Sequence, residues 1–223
     1  TSAQIAGMID HALLKPEMTR AEVKEGCELA AKYLTASVCV KGNDVAYCTE
    51  LLKDSGVLVG TVVGFPHGNA VTSAKVKETE VALSQGAKEI DVVLPIGLVK
   101  SGEYEYVRHE ISEVLAAVRR LGGLLKVIFE NCYLTREEII RCCEICSELD
   151  VDFVKTSTGF GSYGARVEDV ALMRAHTKPS VQIKASGGIR SLDDFLALHE
   201  AGATRMGASA TAAIVDEAKR RGM

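Results

Sequence analysis

The chain has 223 residues, of which 47% are hydrophobic and 25% are charged, and its formal net charge is −4. This length fits one large α/β domain or two small ones, and the negative balance argues against a nucleic-acid-binding protein. No apolar run approaches the length that spans a membrane. The first residues lack a basic segment followed by a long apolar one, so export is not indicated and a cytoplasmic location is expected.

Short apolar runs alternate with amphipathic helical stretches along the whole chain. The predicted strands are residues 8–12, 36–40, 58–63, 89–94, 124–129, 152–157, 181–185 and 204–207. The predicted helices are residues 20–32, 44–53, 73–85, 104–120, 136–148, 167–176, 192–201 and 211–220. Several begin with a capping-box pattern, in which a Ser or Thr precedes an acidic residue by three positions: Thr19 with Glu22, Thr135 with Glu138 and Ser191 with Asp194.

Eight strands that alternate with helices predict a parallel α/β architecture. A (β/α)8 TIM barrel, with a short N-terminal extension before the first strand, fits a chain of this length. The rival is a doubly wound open sheet, which a Gly-x-Gly-x-x-Gly turn after an early strand would favour, and no such turn follows an early strand. Because no linker or low-complexity tract divides the chain, residues 1–223 are predicted to form one domain.

Lys155 lies inside a predicted buried strand, in the stretch Val-Asp-Phe-Val-Lys-Thr-Ser-Thr-Gly-Phe-Gly at residues 151–161. A buried lysine has to lose either its charge or its solvation, so Lys155 is a candidate amine nucleophile. The alternative is a lysine that pairs with a carboxylate inside the barrel or reaches solvent at the end of its strand.

Alternate residues of a barrel strand point inward, and this alternation collects polar groups on the predicted inner faces. Asp10 lies in the first predicted strand, and the inner faces of four later strands carry Glu89, Asp91, Lys126, Glu130, Lys155, Ser157, Gln182, Lys184 and Ser186. A buried ion-pair network that only neutralises itself is one interpretation. The other rests on Lys155 and Lys184, which lie on adjacent strands. Two positive charges ~6 Å apart at an effective dielectric constant of ~20 repel by roughly 3 kcal/mol, which brings the pKa of one lysine near ~8 and favours Schiff-base chemistry.

Glycine-rich turns follow the last two predicted strands. Gly187 and Gly188 end the seventh strand, and Ser209 follows the eighth. Barrels commonly bind phosphate in these two loops, through backbone N–H groups and helix N-termini. The glycines also suit ordinary turns, but beside two lysines they favour a phosphorylated substrate.

The seven cysteines are odd in number and scattered, which does not fit a disulfide framework. Cys143 and Cys146 form the one Cys-x-x-Cys pattern, beside Cys142 in a predicted helix. This segment supplies too few ligands for zinc, and a redox pair would precede a helix, so buried helix packing is predicted.

Six stretches together resemble the deoxyribose-phosphate aldolases, a family of class I aldolases, along nearly the whole chain. The stretches are residues 9–15, 36–40, 63–66, 89–93, 153–160 and 184–190. The last two, Phe-Val-Lys-Thr-Ser-Thr-Gly-Phe and Lys-Ala-Ser-Gly-Gly-Ile-Arg, are highly specific. The resemblance implies a TIM barrel without metal or organic cofactor that cleaves 2-deoxy-D-ribose 5-phosphate reversibly to acetaldehyde and D-glyceraldehyde 3-phosphate, in deoxyribose phosphate catabolism. It also implies a homo-oligomer, a dimer or a tetramer.

The same resemblance implies a role for each matching residue. Lys155 would form the Schiff base, Lys184 would keep Lys155 deprotonated, and Asp91 would relay protons through water. The matches to substrate-binding positions are Asp10, Cys39, Lys126, Thr158 and, around the phosphate, Gly159, Gly187, Gly188 and Ser209.

Three positions depart from the family pattern. Ala12 replaces the usual threonine, Ala210 replaces the second serine of the phosphate loop, and the chain ends Arg-Gly-Met without the tyrosine that some members use in proton transfer. Two other hypotheses stay open. One is a Schiff-base aldolase for another aldehyde or ketose phosphate, and the other, which the altered phosphate loop allows, is a non-catalytic barrel that binds sugar phosphate.

Overall fold

A closed barrel of eight parallel strands forms the centre of the molecule in a computed structural model that describes residues 1–223. Each strand pairs with the next one in the chain, and the eighth pairs with the first. The strands are β1 (Ile9–Leu13), β2 (Ser37–Val40), β3 (Leu58–Val63), β4 (Glu89–Val93), β5 (Leu124–Ile128), β6 (Phe153–Lys155), β7 (Gln182–Ser186) and β8 (Arg205–Ala208). The predicted (β/α)8 barrel is confirmed, and the open-sheet alternative is wrong.

Ten helices accompany the barrel. They are α1 (Ser2–Ala6), α2 (Arg20–Tyr33), α3 (Val45–Leu52), α4 (Thr72–Ser84), α5 (Ile96–Lys100), α6 (Tyr104–Arg120), α7 (Arg136–Glu148), α8 (Val167–Ala175), α9 (Leu192–Glu200) and α10 (Thr211–Arg220). The three predicted capping boxes are present at the starts of α2, α7 and α9. The sequence did not predict α1, which forms the N-terminal extension, or α5, because five residues are too few to display a helical period.

The outward faces of the strands pack against the helices and form the main hydrophobic core. Ile90 and Val92 of β4 and Val127 of β5 are among its 51 buried residues. Cys143 and Cys146 are also buried in this layer, on α7, which confirms the predicted packing role. None of the ten helices is both long and apolar enough to cross a membrane.

The register of the central strands determines which inward side chains meet. Asp91 of β4 pairs with Lys126 of β5, and Lys155 of β6 pairs with Lys184 of β7. The predicted adjacency of the two lysines is therefore present. After the last residue of β6, the backbone N–H of Thr156 donates to the carbonyl of Lys184 at 3.1 Å. The hydrogen bonding between β6 and β7 therefore continues one residue past the end of β6.

Candidate active site

Charged side chains fill the inside of the barrel. They are Asp10, Glu89, Asp91, Lys126, Lys155, Lys184 and Arg205, and only Arg205 is more than slightly exposed. Since apolar side chains would fill this space at lower desolvation cost, the stability of the barrel does not require this cluster. A cluster of this kind is expected where chemistry needs perturbed ionisation.

Asp91 is the common partner of three lysines. Its Oδ2 atom lies 2.7 Å from Nζ of Lys155 and 2.7 Å from Nζ of Lys184. Its Oδ1 atom accepts a hydrogen bond from Lys126 at 3.0 Å. Because the Nζ atoms of Lys155 and Lys184 contact the same oxygen, they lie close together inside the barrel.

Asp10 joins the same cluster from β1. Its Oδ2 atom lies 2.6 Å from Nζ of Lys184, and its Oδ1 atom accepts hydrogen bonds from Arg205 at 2.6 Å and from the Ser37 hydroxyl at 2.7 Å. Three cations around a buried carboxylate favour its charged form, so the pKa of Asp10 lies well below its ordinary value despite the opposing effect of burial.

The two lysines of the predicted pair differ in their ionisation. Burial lowers the pKa of Lys155; the charge of Lys184 lowers it further, and the contact with Asp91 opposes both. The pKa of Lys184 is instead raised, because Asp10 and Asp91 together outweigh its burial. The pKa of Lys155 is lowered, as predicted from repulsion between the two lysines, but burial lowers it more than the charge of Lys184 does. The alternative interpretation, in which Lys155 pairs with a carboxylate inside the barrel, is also consistent with its contact to Asp91.

The Lys184 charge yields a test of this electrostatic account. With Lys184→Leu, Lys155 loses a neighbouring cation and retains its proton to higher pH, so the acidic limb of kcat/KM is expected to move up by about 1–2 pH units. Lys184→Arg preserves the charge and serves as the matched control. A pH profile that is identical in the parent and in Lys184→Leu would contradict the coupling.

A cavity of about 750 Å³ opens at the carboxyl ends of the strands, directly above these lysines. Of the predicted site residues, those that line it are Asp10, Cys39, Lys155, Thr158, Gly159, Lys184, Gly187, Gly188 and Ser209. Asp91 and Lys126 do not line the cavity but lie beneath it, buried against the lining lysines. The pocket therefore presents the Lys155 amine at its floor and places its counter-ion out of contact with solvent.

Four backbone N–H groups on the cavity wall donate to no other group of the protein. They belong to Gly159, Gly187, Gly188 and Ser209. Gly187 and Gly188 have φ angles of +84° and +79°, which a residue with a side chain adopts only at a cost. Four free donors on one cavity wall, with Ser209 just before the start of α10, are suited to an anionic group such as a phosphate.

Glu130 supports the part of this wall that follows β6. Its Oε1 atom accepts a hydrogen bond from the backbone N–H of Thr158 at 3.0 Å, and its Oε2 atom accepts one from the Thr158 hydroxyl. Glu130 is buried and has a φ of +57°, an unusual angle for a residue other than glycine. The carboxylate thus fixes the loop that follows β6.

Arg205, Glu89 and Glu130 were not among the predicted site residues. Glu89 and Glu130 were on predicted inner faces. Arg205 lies two residues before Gly207 in β8, on the same face of that strand, so the alternation of the strands could have indicated that all three point inward. The sequence could not indicate which residues these three contact, because contacts across the barrel depend on how the strands are staggered.

No group of three or more His, Cys, Asp or Glu side chains is arranged to hold a metal ion. The three inner carboxylates are each in contact with lysine or arginine side chains instead. The polar chemistry at the cavity floor is therefore that of amines and their counter-ions.

Comparisons with known proteins agree with this geometry. The model of the DeoC/LacD family aldolases matches residues 5–216. A deoxyribose-phosphate aldolase of Caldanaerobacter subterraneus subsp. tengcongensis is 54% identical over 98% of this chain and 95% of its own length. One of Rhodopirellula baltica is 46% identical over 97% of this chain and 90% of its own length.

A solved structure extends the comparison to the fold. The tetrameric deoxyribose phosphate aldolase of Aeropyrum pernix superposes with a TM-score of 0.92 at 29% identity, covering 98% of this chain and 92% of that one.

Proposed function

Because the chain belongs to the DeoC/LacD family of aldolases, we propose that it cleaves 2-deoxy-D-ribose 5-phosphate reversibly to acetaldehyde and D-glyceraldehyde 3-phosphate through a Schiff base on Lys155. One observation carries this proposal: a buried lysine with a lowered pKa lies at the floor of a cavity whose wall offers free N–H donors. The activity belongs to deoxyribose phosphate catabolism.

The reaction begins when the uncharged amine of Lys155 attacks the C1 aldehyde of the sugar phosphate. The carbinolamine loses water to form an iminium. When the C3 hydroxyl loses its proton, the C2–C3 bond breaks and its electron pair moves to the iminium nitrogen, which gives an enamine and glyceraldehyde 3-phosphate. Protonation of the enamine carbon and addition of water then release acetaldehyde and restore the amine. The imine itself serves as the electron sink, so this chemistry needs no metal or organic cofactor.

Asp91 is suited to manage protons beside this nitrogen. Its Oδ2 atom lies 2.7 Å from Nζ of Lys155, and the three lysines around it hold its pKa well below the ordinary value. It therefore remains a carboxylate that orients the amine. Because Asp91 does not line the cavity, its proton relay to the substrate oxygens would use a water molecule that reaches it beside Nζ of Lys155 once that amine has reacted. Lys184 stays charged beside it and keeps Lys155 from retaining a proton.

The phosphate is assigned to the free N–H groups of Gly159, Gly187, Gly188 and Ser209. Asp10 and Cys39 line the part of the cavity next to the lysines, and Lys126 supports Asp91 from below. Ala210, which stands where the family usually has a serine, is the N-cap residue of α10, and no side chain caps this helix. At the start of α10 the phosphate would therefore be bound by backbone donors.

Glu130→Gln tests the support of this wall. We expect KM for 2-deoxyribose 5-phosphate to rise by about 5–10-fold with kcat largely kept, because the charge-assisted hydrogen bond that the Thr158 hydroxyl donates to residue 130 is weakened. KM for unphosphorylated 2-deoxyribose serves as the control and should change little. An equal rise for both sugars would contradict the assignment of this loop to the phosphate.

The activity is tested by incubating the purified chain with 2-deoxyribose 5-phosphate and measuring both aldehydes. Ketose phosphates in parallel assays address the second hypothesis, a Schiff-base aldolase with another substrate, which predicts cleavage of a ketose phosphate in preference. Binding of the sugar phosphate without cleavage would favour the non-catalytic barrel.

We also propose that residues 1–223 form one domain and that the protein is a cytoplasmic homo-oligomer whose partner is a small sugar phosphate. The single barrel and its continuous core support one domain. The tetrameric relative from Aeropyrum pernix supports oligomerisation, and light scattering after gel filtration measures it directly.

A further inference from the structure

The barrel interior holds an odd number of ionisable side chains in one connected network. Four are cationic when protonated and three are anionic when deprotonated. The cations are Lys126, Lys155, Lys184 and Arg205, and the anions are Asp10, Glu89 and Asp91. If all seven were charged, the interior would carry one uncompensated positive charge. With one amine neutral, the charges balance.

Lys155 has the fewest counter-ions of the four cations. It contacts Asp91 alone, whereas Lys184 contacts Asp10 and Asp91, and Lys126 contacts these two and Glu89. An uncompensated buried charge is costly, so the group with the weakest compensation gives up its proton first. Burial lowers the pKa of Lys155, while the pKa values of Lys126, Lys184 and Arg205 are raised by their carboxylates, which agrees with this order.

The network extends well below the cavity. Arg205 Nη1 lies 2.6 Å from Oδ1 of Asp10 and 3.1 Å from Oε2 of Glu89, and neither Arg205 nor Glu89 lines the cavity. Asp10 contacts Lys184, Lys184 contacts Asp91, and Asp91 contacts Lys155. Alternating charges thus connect the base of the barrel to the reactive amine.

We propose that Arg205 and Glu89 are positioning residues that set the net charge of the barrel interior and thereby keep Lys155 an uncharged amine. This inference rests on the proposed role of Lys155 as nucleophile. The other groups that face Lys155 are Asp91, Lys184 and the thiol of Cys39, whose pKa is raised by burial so that it stays neutral. Glu130, the next buried carboxylate, bonds to Thr158 and makes no ion pair.

Charge balance predicts opposite effects for the two residues. Arg205→Gln removes a cation, so the interior is neutral with Lys155 protonated, and the acidic midpoint should rise by about 1 pH unit. Glu89→Gln removes an anion and should lower the midpoint by a similar ~1 pH unit. The double variant restores the balance and should return the midpoint close to that of the parent. Arg205→Lys preserves the charge and should leave it in place.

Two readouts are needed. The first is the acidic limb of kcat/KM for 2-deoxyribose 5-phosphate. The second is the pH dependence of reductive methylation of Lys155 by formaldehyde and cyanoborohydride, quantified by peptide mass mapping. The second requires no aldolase activity, so it tests the charge balance even if the proposed substrate is wrong.

Opposite shifts in the two single variants, cancelling in the double variant, would support the inference. Shifts in the same direction, or unmoved midpoints in folded variants, would overturn it, because a merely structural role reduces activity without reversing sign. If Arg205→Gln does not fold, Glu89→Gln and Arg205→Lys still decide the question: an unmoved midpoint in Glu89→Gln would overturn the inference.

Discussion

Lys155→Leu is expected to abolish cleavage of 2-deoxyribose 5-phosphate, by about 10⁴-fold or more in kcat, while the barrel stays folded. No other amine at the cavity floor has a lowered pKa, since that of Lys184 is raised by its two carboxylates. Loss of the nucleophile removes the covalent route altogether. Because Asp91 retains Lys126 and Lys184 as counter-ions, the variant keeps its network of ion pairs. The measurements are a coupled aldehyde assay and thermal unfolding followed by circular dichroism.

A buried lysine outside the barrel interior offers a matched control. Lys75 of α4 is fully buried outside the barrel, where it lies 2.5 Å from Glu110 and donates to the carbonyl of Val93 at 2.8 Å. Lys75→Leu should lower stability by about 3–5 kcal/mol, since it removes the cation that pairs with buried Glu110 and leaves that side chain only the hydrogen bond from the Thr72 hydroxyl. The Lys75→Leu variant should still form a Schiff base on Lys155 that borohydride can reduce. Residual cleavage near the parent rate in Lys155→Leu would contradict the assignment of the nucleophile.

Asp91→Asn is expected to lower both activity and stability. The variant leaves Lys126, Lys155 and Lys184 around a neutral amide, and breaking such a buried network costs about 3–5 kcal/mol. Loss of a positioned carboxylate beside the amine should lower kcat by about 10²–10⁴-fold. Steady-state kinetics and urea unfolding at pH 7 measure the two losses separately.

The pH dependence of this stability loss has a definite sign. The pKa of Asp91 is depressed in the folded protein, so its contribution is fully present above its unfolded pKa of ~3.9 and is lost as the pH falls. The gap in unfolding free energy between parent and Asp91→Asn should therefore be widest near neutral pH and narrow below about pH 4. A gap that widens in acid would contradict the assigned ionisation.

Strand periodicity was enough to predict the polar interior of the barrel. The alternation in the sixth and seventh strands placed Lys155 and Lys184 side by side, as their register now shows. The glycine pair Gly187 and Gly188 lies on the cavity wall, where the resemblance placed the phosphate. These features depend on local sequence and on the order of neighbouring strands, both of which a single chain displays.

Contacts across the barrel were beyond prediction. Arg205 and Asp10 lie 195 positions apart, and their contact depends on closure of β8 against β1 with one particular stagger. Burial, rather than repulsion alone, proved the larger cause of the Lys155 shift, and its size depends on the packing above and below the amine. The left-handed backbone at Glu130 likewise had no sequence signal, since glycine or asparagine is the usual residue there.

Borohydride reduction of the protein in the presence of 2-deoxyribose 5-phosphate, followed by peptide mass mapping, would trap a Schiff base and identify the lysine that forms it. We expect a single reduced adduct on the peptide that contains Lys155, and none in Lys155→Leu. An adduct on Lys184 would reverse the roles of the two lysines. If a correctly folded protein gave no adduct at all, the Schiff-base mechanism would be contradicted.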